Sequence, residues 1–97
     1  MKLASTHSDK ANANQISKDL IDKILSTDSD TLTVQAESNL TRHFQLQARL
    51  RDYILQQARA NRGSETKNGV EFIDEDKYAR EIAALAKLSS AMQHTQA

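Results

Sequence analysis

The sequence predicts an all-α fold: a small helical bundle in which a long helical hairpin, made by the second and third helices, carries a short N-terminal helix packed on it. Three observations lead there. The 97 residues include no Pro and only two Gly, whereas a β-sandwich or barrel needs a turn every ~8–12 residues. Thirteen Ala and eight Gln beside 27% charged residues favour helix. Apolar residues also recur at helical spacing in three separate segments.

Residues 1–12 are polar, small and aperiodic, which predicts a flexible N-terminal tail. A single helical domain is expected over 13–92, followed by a frayed C-terminal tail at 93–97. The first helix runs from about Asn14, its expected N-cap, to Ser26. Ile16, Leu20, Ile21, Ile24 and Leu25 fall on one face, and Lys18, Asp19, Asp22 and Lys23 lie outside it. Ser26 to Asp30 prefer side-chain-to-backbone bonds and end the helix.

The second helix is the longest, from about Leu32 to Asn61, with a first turn that can also be read as a short extended piece. Its apolar residues cover more than half the circumference, which calls for neighbours on two sides. Arg42, Gln45, Arg49, Asp52 and Gln56 form the polar strip. Asn61-Arg62-Gly63 reads as a helix stop with Gly at the C′ position. In the polar connector that follows, Asn68-Gly69 is a turn signal that permits a short hairpin. The favoured expectation is a loop that drops Phe72 and Ile73 onto the helices as a plug. Asp74 is then the N-cap of the third helix, with Glu75 and Asp76 in its first turn. Tyr78, Ile82, Leu85, Leu88 and Met92 make its narrow stripe.

Leu, Ile, Val and Phe number twenty. That is a small supply of large apolar side chains for a chain of this length, so the core is small for the chain it must hold. The longest apolar run, Ile82 to Ala86, is far below the ~20 residues of a membrane span. Met1 to Ser5 begin like a signal peptide but no hydrophobic region follows, so a cytoplasmic protein without membrane contact is expected.

Few chemistries survive inspection. The absence of Cys excludes disulfides and thiolate sites. His7, His43 and His94 have no metal-ligand spacing, and His43 reads as a boundary residue on the second helix. From Asp28 the calcium-loop pattern fails, with Thr33 where Gly is needed and Asn39 where the bidentate Glu belongs. No phosphate cradle or nucleophile elbow is present. No catalytic residue, metal or cofactor is therefore assigned, and the chain is read as a non-enzyme.

Two features point to binding. His43, Leu46, Leu50, Tyr53, Gln57 and Ala60 follow coiled-coil spacing. The wide apolar face nominates Phe44, Leu46, Leu50, Tyr53 and Ile54 as a partner surface for another protein or a second copy, with a homodimer as the simplest closure. Charge is also uneven although its sum is zero. Residues 40–67 hold Arg42, Arg49, Arg51, Arg59, Arg62 and Lys67 against Asp52 and Glu65, while the flanking segments are acidic. Neutralisation inside the fold is the simplest use of this imbalance. Arg42, Arg49 and Arg59 supply the alternative, a nucleic-acid-reading helix. The expected function is a small adaptor, chaperone or regulator acting through protein–protein contacts, with a nucleic-acid-binding regulator as the alternative. No segment carries a family signature.

Overall fold

The structure, a computed structural model, describes the backbone of residues 5–96 and the side chains of residues 12–94. In chain order it comprises α1 (Ser5–Ser26), α2 (Ser29–Ser38), α3 (Leu40–Ala60), β1 (Ser64–Lys67), β2 (Val70–Ile73) and α4 (Ala79–Gln96). The fold is mostly helical, as predicted, but not purely all-α, because β1 and β2 form a small antiparallel sheet. Its shortest dimension, 22 Å, is about two helix diameters of ~10–12 Å, so the helices keep a solvent face. Among the described residues no helix is long and apolar enough to cross a membrane.

α1 begins at Ser5 rather than near Asn14, and α4 continues to Gln96. Both extensions are polar and aperiodic. Once a packed segment has nucleated a helix, each added residue gains a backbone hydrogen bond, whether or not it has an apolar face. Of the predicted tails, 1–4 and 97 lie outside the described residues, as does the side chain of His7.

The predicted second helix is two helices. Asp28 caps α2, accepting hydrogen bonds from the Thr31 N–H and hydroxyl, both at 2.8 Å, so the stretch read as possibly extended is helical. Asn39 then breaks the run with φ −151° and ψ 76°. It ends α2 and also starts α3, where its side chain accepts from the Arg42 N–H at 3.1 Å. Helical periodicity continues across this joint because one residue in a capping conformation barely changes the apolar count.

The end of α3 also differs from the expectation. Arg62, not Gly63, takes the left-handed conformation at C′, with φ 55°. Gly63 follows it and donates its N–H to the Ala58 carbonyl at 2.7 Å, the six-to-one bond of a Schellman cap. Glycine is required there by space. A Cβ at position 63 would lie 2.4 Å from Cε2 of Tyr78.

The connector is a hairpin rather than a loop. Asn68 (φ 53°) and Gly69 (φ 78°) form the two-residue turn with both angles positive that matches strand twist, and Lys67 pairs with Val70. Strand alternation sends Phe72 and Ile73 to opposite faces, so the predicted plug is half right. Ile73 packs against the core, and Phe72 is 54% exposed. Asp74 caps as expected, accepting from the Asp76 and Lys77 N–H groups, but it caps a single preliminary turn ahead of α4.

α4 is the central element and packs on α1, α2 and α3. Its Ala84, Leu88, Ala91 and Met92 meet Ile21 and Ile24 of α1, Leu32 and Ala36 of α2, and Leu50, Tyr53 and Ile54 of α3 in one buried cluster. Tyr78 donates its hydroxyl to the Gln57 carbonyl, and Gln47 donates to the Ser89 hydroxyl, which makes α3 and α4 antiparallel.

Four substitutions test this packing by urea denaturation. Leu88→Ala, at a fully buried site, should cost about 2–5 kcal/mol, whereas Val34→Ala on the solvent face of α2 should stay within ~0.5 kcal/mol of the wild type. Gly63→Ala should cost about 1–3 kcal/mol through its clash with Tyr78. Arg62→Gly relieves the left-handed backbone and should raise stability by ~1 kcal/mol or less.

Candidate protein-docking groove

α3 presents Arg42, Leu46, Arg49 and Tyr53 on one face, following a four-three-four spacing. The N-terminal half of α1 passes beside that face. Ala13, Asn14, Ile16 and Ser17 form the opposite wall of an open groove of about 550 Å³, which extends along α3 from Arg42 to Gln56. Ser17 is buried where the helices approach, and Ile16 is 51% exposed above the groove. A second cavity of about 280 Å³ adjoins it and shares Ile16, Arg42 and Leu46. Its lining adds Leu20 and Ile24 of α1, Leu32 of α2, His43 of α3 and Leu88 of α4.

His43 is buried, and its Nδ1 lies 2.8 Å from the Asn39 carbonyl oxygen. A carbonyl can only accept, so this geometry places the proton on Nδ1. Burial, reinforced by the charge of Glu81, pushes the Tyr53 phenol up and keeps it neutral under the groove.

The two sets of sequence-nominated residues separate. Leu50, Tyr53 and Ile54 are buried inside the chain, so the expected five-residue apolar seam is not an open surface. The two-sided apolar face of α3 is met internally, chiefly by α4 and also by α1 and α2. Leu46 is half-buried and lines the groove, while Phe44 is exposed on the opposite side of α3.

Of the arginines, Arg59 is committed to the fold. Its Nε and Nη2 donate to the two Glu71 oxygens at 2.9 and 2.7 Å. Arg80 pairs with Asp22 between α4 and α1. Arg42 and Arg49 remain exposed on the groove rim and make no ion pair among the described residues. Internal neutralisation of the basic segment is thus partial.

The α1 wall, Ile16 above all, is the part of this site that sequence reasoning missed. The sequence places Ile16 on the apolar face of the first helix, continuing the stripe of Ile21 and Ile24. Its position at the end of that stripe, beside polar Asn14, was the available sign that it reaches past the packed region. Among the described residues no group of three or more His, Asp or Glu side chains is placed to hold a metal ion. Comparison with protein-family models, curated proteins and solved structures returns no match to this chain.

The Arg59–Glu71 pair gives a signed pH test. The hydrogen bond from Arg59 holds the Glu71 carboxyl below its ordinary value of 4.5. A carboxyl lowered in the folded state adds stability that is complete above its unfolded value and is lost as pH falls through the folded one. Glu71→Gln should therefore flatten part of the fall in urea midpoint below about pH 4.5 and lower the neutral-pH midpoint by the same amount, which is small for an exposed pair. The part that remains includes Asp28, whose carboxyl the Thr31 amide and hydroxyl also lower.

Proposed function

We propose that the chain is a non-enzymatic binding protein, an adaptor, chaperone or regulator in kind, that works through protein–protein contacts at the α1/α3 groove. One observation carries this reading. The groove combines the apolar side chains of Ile16 and Leu46, above the buried Tyr53, with two exposed arginines, Arg42 and Arg49, that have no ion-pair partner among the described residues. An apolar centre with a charged rim is the anatomy of a protein interface. Arg is the cation best suited to such a rim, because its planar fork meets carboxylates in two hydrogen bonds.

The same two arginines support nucleic acid as a second reading, with two features against it. Asp52 lines the groove, and Tyr53 is too buried to stack on a base. A photo-crosslinking residue at Gln45 in the groove, with Glu65 on the hairpin as control, separates the readings in native extract. The expected result is a polypeptide adduct at 45 that survives nuclease and is absent at 65. An adduct removed by nuclease, together with duplex binding that weakens steeply with salt, would replace this reading with the nucleic-acid one.

A further inference from the structure

We infer that the groove's partner is a second copy of this chain, seated through the outer face of α2. The inference rests on the groove being a protein-docking site and names its occupant. α2 buries only Leu32 and Ala36, one turn apart. At 100° per residue, Asp30, Val34 and Glu37 lie about 140–200° around the helix from Leu32, and all three are exposed. Val34, at 60%, is the most exposed large apolar residue among the described side chains. Neither Asp30 nor Glu37 makes an ion pair among the described residues.

This stripe is the charge complement of the groove. Asp30, Val34 and Glu37 are spaced acid–apolar–acid at i, i+4, i+7. Arg42, Leu46 and Arg49 are spaced base–apolar–base at the same intervals. In each trio the charges stand about 10.5 Å apart along the helix axis. Laid along the groove of another copy, α2 brings both carboxylates to both guanidinium groups and places Val34 over Leu46 and Ile16. A helix face of this kind is an established way to fill a groove. Exchanged reciprocally about a two-fold axis, the contact forms twice and closes as a dimer. Asp52 in the groove lining disfavours a more acidic occupant, which sets this stripe apart from a generally acidic peptide.

Charge exchange tests the pairing, read by light scattering and sedimentation of the full chain over a wide concentration range. The wild type should move from the mass of one chain, 10.8 kDa, to twice that mass, and less readily as salt rises. R42E/R49E alone and D30K/E37K alone should each stay at the mass of one chain. A mixture of the two should recover the dimer, because each variant then offers the other an opposite charge in both contacts. Val34→Glu, at an exposed site, should also prevent association, and circular dichroism should show all variants as helical as the wild type. A wild type that stays monomeric at high concentration overturns the second copy while leaving the groove open to another protein, which the Gln45 cross-link reports separately. A dimer whose mass is unchanged in the two double variants, or a mixture that fails to recover it, overturns the inference equally.

Discussion

The fold depends on the burial of one stripe of α4. Ala84, Leu88, Ala91 and Met92 recur at i, i+4, i+7 and i+8, and every other helix places its buried residues against them. The two alanines add little apolar area, but their small size lets neighbouring backbones approach while Leu88 and Met92 fill the space between. The same region of chain satisfies the carbonyls that helix ends leave open. Lys87 donates to the carbonyls of Leu25 and Thr27 at the end of α1. Lys77 donates to the Asn61 carbonyl at the end of α3, and Tyr78 adds a second hydrogen bond to the Gln57 carbonyl, which already accepts the Asn61 N–H. Apolar burial and polar satisfaction therefore rest on one segment, and disturbing it leaves two helix termini unsatisfied as well as a core exposed.

That arrangement also explains why a groove exists. α1 is fixed to α4 along its C-terminal half by Ile21, Ile24, the Asp22–Arg80 pair and the Lys87 bonds. No comparable set of contacts holds Ile16, which is left half exposed beside α3. Because α3 turns Leu50 and Ile54 toward the core, its Arg42–Arg49 face is left for α1 to cover, and α1 covers it only in part.

What was legible in the sequence follows from what periodicity measures. An apolar stripe reports which residues share a helix face, so the large residues of α1, α3 and α4 could be read directly; in α4, however, the small Ala84 and Ala91 are buried while Ile82 and Leu85 are only partly so. It does not report a single-residue joint. Asn39 is compatible with a helix interior and becomes a double cap only because α2 and α3 each have a separate place on α4. Nor does it report which residue beside a glycine takes the left-handed angle. Arg62 does so, while the absence of a side chain at Gly63 leaves room for the Tyr78 ring. The candidate site divides in the same way. Arg42 and Arg49 were identifiable from the polar strip, but the loss of Arg59 to Glu71 depends on a hairpin register that composition does not encode. Leu50, Tyr53 and Ile54 were visible as apolar and not as interior, since a wide apolar face fits two intramolecular neighbours as well as one partner.

α2 is the element for which this ambiguity matters most. Ten residues are too few for a helix to be stable alone in water. The Asp28 cap and the burial of Leu32 and Ala36 hold α2 from one side, where it contacts α4 and α3. Its other side presents a valine to solvent between two carboxylates that make no ion pair among the described residues. The opposite pattern, with the same spacing, stands open twelve residues along the chain in α3. The intramolecular joint at Asn39 places the two trios in successive helices without pairing them. The proposed association of two copies would therefore satisfy, between chains, a complementarity that each chain carries but does not close within itself.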